Sequence, residues 1–312
     1  MSKTTIFFDP NLNERGTSIA TYDYAHFNEV ILGNKSIIIS LNNAELKSFE
    51  KFNNRFETHI VNSYIDINNI SCDYFYSLKY GFNDGVSHLN SKNLVHVVFP
   101  SFDPHGDVYA YVSEWLAKTH GNGSPFVPHM VNLPNVNENF KDFFNIKNQL
   151  VIGWYGGNNF EIPFVRQAVI EVAKKRKDII FLFMNQESFS DLENTIFING
   201  TTDQEQKVAF INTCDAMIHA RERGETFGLA IAEFSSQNKP IITYQNSPEC
   251  NHIEILKDKG IYYQDYNSLY NILLNLSQSD LQHKEWNCYQ EFTPENIMKK
   301  FNQVFYNEYT NS

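Results

Sequence analysis

The chain has 312 residues, 42% hydrophobic and 20% charged, enough for two domains of ordinary size, each with its own core. Its formal net charge is −11 and its sequence pI about 5.4, with no long Lys/Arg cluster. That balance argues against binding nucleic acid through its phosphates and against resting on an anionic membrane by charge alone.

No apolar run reaches membrane-spanning length, so no transmembrane segment is expected. The N-terminus MSKTTIFFDP enters a strand-like run directly and lacks a signal-peptide layout. Cys72, Cys214, Cys250 and Cys288 form no CxxC, and the ten histidines form no HExxH. Neither a metal site nor a disulfide framework is expected, and the expected location is cytoplasmic.

In chain order, TTIFFD reads as a strand, PNLNERGTS as a loop, SIATYDYAHFNEVIL as a helix and KSIIIS as a strand buried on both faces. This is a βαβ unit, whose right-handed crossover makes a parallel sheet the default. HIVNSY, CDYFYS and LVHVVF continue as strands, and DVYAYVSEWLAK as a strand entering a helix. PFVPHMVNLPN, with three prolines, reads as a linker.

A second series follows. LVIGWY is a strand, and IPFVRQAVIEVAKKRKD a helix with Pro163 in its first turn and a basic end. IIFLFMN and NTIFING are strands, TDQEQKVAFINTC a helix, and DAMIHA and KPIITY strands on either side of a loop and helix. GIYYQD is extended, and residues 266–277 and 294–308 are helical. The expected class is α/β, with two Rossmann-like, doubly wound parallel-sheet domains facing a cleft. The expected boundaries are 1–130, 131–293 and a C-terminal helical segment, 294–312, packing back towards the first domain.

The chemistry concentrates in GETFGLAIAEFSSQNKP, residues 224–240, where Glu225 and Glu233 sit among small and apolar residues. A carboxylate in such company is costly unless paired or hydrogen-bonded. RERGETFG is the loop beyond the carboxyl end of the DAMIHA strand, and the helix starts at Leu229, so its first amides are free to bind an anion. Gly228 permits close approach of a ligand. Glu233, one turn inside, falls at the edge of the apolar face, where it can point along the domain boundary. Two carboxylates flanking an anion site suit a ligand that is half polyol and half phosphate, with Arg221 and Arg223 as phosphate partners. The plainer alternative is that Glu225 complements the helix dipole and Glu233 is a border residue.

Other candidates are single residues. His96, inside LVHVVF, is a core histidine or a catalyst. His105, in PSFDPHGD, lies in a Pro/Gly loop expected at a strand's carboxyl end, where it would contact substrate. Lys79 and Asp84, in SLKYGFNDG, form a solvated turn unless Lys79 faces a phosphate. GTSIA lacks G-x-G-x-x-G, so no nicotinamide site is expected. Asn251, His252, Glu249 and Glu254 follow the KPIITY strand on the ligand side.

GETFGLAIAEFSSQNKPIIT resembles the E-x7-E region of retaining GT-B glycosyltransferases, family 4 in particular. Glu225, Phe227, Gly228, Glu233 and Pro240 match that pattern. Phe234 replaces the usual Ala and Lys239 the usual Gly. Asp215 matches the strand before it, VIGWYGG the start of the second domain, RGTSIATYDYA the first loop and VSEWLAK the end of the first domain.

The resemblance implies that a nucleotide sugar is the partner and that no cofactor or metal is needed. Glu233 would bind the ribose and Glu225 would face the donor sugar. The amides of Phe227, Gly228 and Leu229 would hold sugar hydroxyls or phosphate, and Gly16 and Thr17 would lie near the diphosphate. The acceptor, a glycan or small molecule, is not indicated. Two departures stand out: Trp154 occupies the position of a family Arg, and no Lys occurs between Gly153 and Arg166. A binding protein of weak or no activity, and a nucleotide-sugar 2-epimerase of the same architecture, are the competing readings.

Overall fold

The computed structural model describes residues 2–13, 16–157, 160–282 and 284–306. By contacts it divides into Met1–Asn132 with Glu291–Ser312, and Leu133–Gln290. Arg15 and the Asn158–Asn159 turn, both noted in the sequence, lie outside the described residues.

The first unit is one parallel six-stranded sheet in the order β3-β2-β1-β4-β5-β6. Its strands are β1 (Thr4–Phe8), β2 (Lys35–Leu41), β3 (Glu57–Val61), β4 (Tyr74–Lys79), β5 (Lys92–Val97) and β6 (Val108–Tyr111). The helices between them are α1 (Gly16–Val30), α2 (Leu46–Asn53) and α3 (Glu114–His120). The apolar run of β2 is buried from Ser36 to Ser40, as a strand covered on both faces requires. One face packs Ile6, Phe8, Ile37, Ile39, Phe75 and Val86 into a core. Ser113 caps α3 by accepting from the Leu116 amide at 3.1 Å.

The second unit repeats the topology. Its sheet runs β14-β12-β10-β7-β8-β9, all parallel. The strands are β7 (Leu150–Tyr155), β8 (Ile179–Met184), β9 (Thr195–Ile198), β10 (Ala216–His219), β12 (Ile241–Tyr244) and β14 (Ile261–Tyr263). Between β10 and β14, β11 (Gly224–Glu225) and β13 (Glu249–Cys250) form a separate two-stranded parallel pair. The helices are α4 (Pro163–Lys175), α5 (Gln204–Thr213), α6 (Leu229–Ser236), α7 (Asn251–Leu256), α8 (Tyr266–Asn275) and α9 (Gln278–Leu281). Pro163 opens α4 and Lys174 and Lys175 close it; Asp203 caps α5. In each sheet the strand order reverses beside the first strand, at β1/β4 and at β7/β10, where open α/β sheets leave a crevice for ligands.

The chain then returns to the first unit. Helix α10 (Pro294–Phe301) and a π-helical turn, Asn302–Tyr306, lie against its sheet and α1. The Tyr306 hydroxyl donates to Asn28 Oδ1 at 2.9 Å and bonds Thr5 Oγ1 at 2.7 Å, while Phe301 packs on Tyr24 and Tyr76. His96 sits in this layer, fully buried, with Nδ1 2.7 Å from the Tyr76 hydroxyl and Nε2 2.8 Å from the Val127 carbonyl. It is a satisfied core residue, and its pKa is lowered to about 3 by burial, against the raising effect of its backbone hydrogen bonds.

Candidate functional site

Two loops meet at the carboxyl end of β10. The turn after β7 docks there, with the Glu161 amide donating to the Ala220 carbonyl at 2.9 Å. Arg166, the first basic side chain after β7, is committed to that turn: Nε and Nη2 donate to the Phe160 carbonyl at 2.8 and 2.5 Å. Trp154 is buried within β7 and packs edge-on against Phe160. Neither residue supplies the basic group that the resemblance expects after β7.

The loop after β10 holds Glu225. Gly224 takes φ +81 and meets Glu249 so closely that a Cβ there would lie 2.1 Å from the Glu249 carbonyl oxygen. This contact pairs β11 with β13 and sets the carboxylate of Glu225 over the end of β10. Glu225 Oε1 lies 3.1 Å from His219 Nε2, and Oε2 accepts from Arg221 Nη1 at 2.9 Å. Burial alone would raise the pKa of Glu225; the His219 hydrogen bond and the Arg221 charge outweigh it and hold the carboxyl below its ordinary value. Glu225 is therefore an anion at neutral pH, and each oxygen keeps a further lone pair for a ligand donor.

That charge orders the groups behind it. An ionised carboxylate only accepts, so His219 Nε2 carries a proton, and in the neutral ring Nδ1 is then an acceptor. Nδ1 lies 2.9 Å from Thr243 Oγ1, which donates to it and in turn stands 3.2 Å from His252 Nε2. His252 then donates from Nε2 and is left with a bare Nδ1, buried and without a hydrogen-bond partner among the described residues. Burial, with His219 and Arg221 nearby, lowers the pKa of His252 to about 3, against the pull of Glu225. The Tyr263 hydroxyl fixes the end of β10 by donating to the His219 carbonyl at 2.7 Å.

Gly228, at φ +88 and ψ 64, turns the chain into α6, and a Cβ there would lie 3.1 Å from Glu225 Cβ. The first intrahelical bond runs from the Ala232 amide to the Gly228 carbonyl at 2.9 Å. The amides of Leu229, Ala230 and Ile231 therefore have no partner within the helix. Phe227 is buried, with its carbonyl accepting from Asn251 Nδ2 at 3.1 Å.

Glu233 is buried and paired. Its Oε1 accepts from Lys207 Nζ of α5 at 2.6 Å, and both side chains are 7% exposed. Sequence reasoning missed Lys207. It stands in a helix read only for its apolar spacing, and Glu233 had no visible cation within one turn.

The two arginines expected at a phosphate are both paired with carboxylates. Arg221 holds Glu225, and Arg223 Nε donates to Glu249 Oε1. Glu249 is buried, with Oε2 unpartnered among the described residues, and burial raises its pKa despite Arg223. Glu254 is exposed.

In the first unit, Gly16 and Thr17 stand exposed at the head of α1. Behind them Ser18 Oγ donates to buried Asp9 at 2.5 Å. Lys79 ends β4 but is no part of a solvated turn: it is buried, and Nζ donates to Asp84 Oδ1 at 2.5 Å and to the Val86 carbonyl at 2.7 Å.

His105 does not lie at a carboxyl edge. The connection from β5 to its parallel neighbour β6 has to run back along the sheet, and His105 belongs to its final residues. Two residues on, Asp107 exchanges hydrogen bonds with Asn93 at the start of β5. The histidine is at the amino edge, away from the carboxyl ends of the strands.

Residues 174–274 match the family of glycosyl transferases group 1, a segment that spans Glu225 and Glu233. None of the curated proteins matches the chain in sequence. Among solved structures, the chain is similar to Anabaena HepE in complex with UDP, at TM-score 0.72 and 11% identity over 99% of this chain and 100% of that one. It is similar to a variant of S. aureus TarM in complex with Fondaparinux, alpha-GlcNAc-glycerol and UDP, at TM-score 0.68 and 10% identity over 99% and 100%. It is also similar to a putative UDP-N-acetylglucosamine 2-epimerase from Listeria monocytogenes, at TM-score 0.61 and 11% identity over 99% and 98%. At these identities the likeness carries the fold, and the fold is GT-B.

Proposed function

We propose that this GT-B protein, with its group 1 glycosyl transferase match at residues 174–274, is a retaining, metal-independent glycosyltransferase that takes a nucleotide sugar as donor. The observation that carries the reading is Glu225: an anion clamped by His219 and Arg221 beside the amides at the head of α6 that have no partner within the helix, at the carboxyl end of β10. Such a carboxylate accepts hydrogen bonds from sugar hydroxyls, and the amides of Leu229, Ala230 and Ile231 stabilise negative charge developing on a leaving diphosphate. UDP in the complexes of HepE and TarM supports a nucleoside diphosphate as the donor's leaving group. Glu233, paired to Lys207, is the proposed ribose partner, and Arg223, bonded to Glu249 with its side chain 49% exposed, the proposed phosphate partner.

Thermal stability with a panel of nucleoside diphosphates and nucleotide sugars, compared with Glu225→Gln, tests the reading. Stabilisation by one nucleotide series, followed by sugar transfer that survives EDTA and keeps the anomeric configuration, is the expected result. Absence of any shift overturns it. Binding without turnover would favour a catalytically weak relative.

A second reading gains support from the same cluster. Glu225 with His219 is a carboxylate–histidine pair at the proposed donor site, and the epimerase likeness is in the same fold. Incubating the donor without acceptor in deuterated water separates the two: deuterium incorporated into the recovered sugar marks epimerase chemistry.

A further inference from the structure

Arg223 is tied to β13 twice. The Glu249 amide donates to the Arg223 carbonyl at 2.9 Å, and Arg223 Nε donates to Glu249 Oε1. The two side chains of this ion pair stand in different surroundings: that of Glu249 is 3% exposed and that of Arg223 is 49% exposed. The carboxylate is sealed in, while the guanidinium side chain reaches solvent in the loop beyond β10.

Separation would therefore affect the partners unequally. An arginine in water keeps its hydration, whereas a buried carboxylate that loses its counter-charge is costly and protonates instead. Glu249 has little else to hold its charge. Its Oε2 has no hydrogen-bond partner among the described residues. The other charged groups facing it come from the same loop: Arg221, which favours the anion, and Glu225, which opposes it. Arg221 is itself bonded to Glu225. Burial is the largest effect on Glu249 and moves its pKa above the ordinary carboxyl value, against the hydrogen bond and charge of Arg223.

We infer, building on the donor reading above, that Glu249 is a positioning residue for the donor's phosphates: its carboxylate holds Arg223 at the site in the free protein and takes up a proton when Arg223 turns to the phosphate. The incoming phosphate competes for the guanidinium and brings negative charge towards the carboxylate, and both effects favour the protonated form. The proton comes from solvent, and the guanidinium stays charged throughout. A group that binds protons more tightly in the complex makes the ligand bind more tightly as the pH falls. The exchange answers a difficulty of the free protein, in which both arginines of the loop are neutralised by carboxylates. With Glu249 neutral, the charge of Arg223 acts on the leaving diphosphate alone.

Titration calorimetry with UDP-glucose, GDP-mannose and ADP-glucose, in buffers of different ionisation enthalpy, tests this. A sugar diphosphate of this kind is esterified at both ends and exchanges no proton of its own near neutral pH. For a donor that binds, the dependence of the heat on the buffer should report proton uptake by the wild-type protein. Affinity should rise as the pH is lowered from 7.5 to 6, by at most about tenfold per unit. Uptake should vanish in Glu249→Gln, which keeps an acceptor for Arg223 and cannot titrate, and its affinity should lose the pH dependence. Arg223→Gln should also abolish uptake, because Glu249 is then already protonated in the free protein, and should bind more weakly at every pH. Melting curves without donor establish that both variants fold; a merely structural role for Glu249 would change those curves and leave the proton count as it was. Binding without uptake in the wild type, or uptake undiminished in either variant, overturns the inference and leaves the donor reading standing. Absence of binding by all three donors overturns both.

Discussion

Lys207 Nζ and Glu233 Oε1 are 2.6 Å apart, contributed by α5 and α6, and both side chains are almost wholly buried. Such a pair yields little net stability over an apolar pair of the same shape, because desolvation offsets the attraction, but losing one partner leaves a buried charge. Glu233→Ala is expected to destabilise the second unit by about 3 kcal/mol in urea unfolding. Glu233→Gln, which keeps an acceptor for the ammonium, should cost distinctly less. Equal losses would mean that the pair does not hold the two helices. The contrast matters for function as well, since nucleotide binding lost in Glu233→Ala alone could simply report unfolding.

Glu225→Gln keeps the shape of the side chain and removes its charge. Hydrogen bonds to a charged group contribute more than neutral ones. Transfer from the donor is expected to fall roughly 10- to 100-fold in kcat/KM, with the melting temperature of the free protein little changed. Activity within twofold of wild type would remove Glu225 from the reaction.

The Glu225–His219–Thr243–His252 series assigns both histidines as Nε2–H tautomers, which long-range ¹H–¹⁵N spectra of the imidazoles read directly. Thr243→Val cuts the series in the middle and should release the preference at His252, while Glu225 still holds His219 as the Nε2–H tautomer. A His219 resonance in the Nδ1–H pattern in the wild-type protein would contradict the assignment.

Gly224 and Gly228 both sit at positive φ against neighbours. Gly224→Ala is expected to be the more damaging, since its Cβ meets the backbone carbonyl of Glu249 at 2.1 Å, whereas that of Gly228→Ala meets the Glu225 side chain at 3.1 Å. Losses above about 2 kcal/mol for the first and about 1–2 kcal/mol for the second, by calorimetry, are the expected order. The reverse order would count against the β11–β13 pairing.

Both units contain a buried histidine with its pKa lowered to about 3, His96 in the first and His252 in the second. The unfolded chain takes up these protons near pH 6.5 and the folded chain only near pH 3, so stability is greatest above 6.5 and is lost as the pH falls through that window. By pH 4.5 each histidine accounts for roughly 3 kcal/mol of loss. Urea midpoints measured across this range should fall steadily, and His96→Gln should flatten the dependence. A midpoint independent of pH between 6.5 and 4.5 would refute it.

What the sequence determined by itself is local. The unbroken apolar runs IIFLFM and SIIIS can only be strands covered on both faces, and Pro163, Asp203 and the lysines ending α4 mark helix ends by their own backbone chemistry. Alternation of such elements implies parallel crossovers, and the loop with Glu225 and Gly228 follows as a site at a strand's carboxyl end. Tertiary structure decided everything that depends on a partner distant in sequence. β11 and β13 have two residues each and no periodicity to read; they exist because Gly224 meets Glu249. Lys207 finds Glu233 across 26 residues, and Arg223, expected at a phosphate, is turned to Glu249. His105 moved from the carboxyl to the amino edge because a connection between parallel neighbours has to retrace the sheet, and no residue in PSFDPHGD records how far along that return path it stands. Local pattern reports which backbone conformation a residue favours, whereas the environment of a charged or polar side chain is set by whichever distant groups the fold brings beside it.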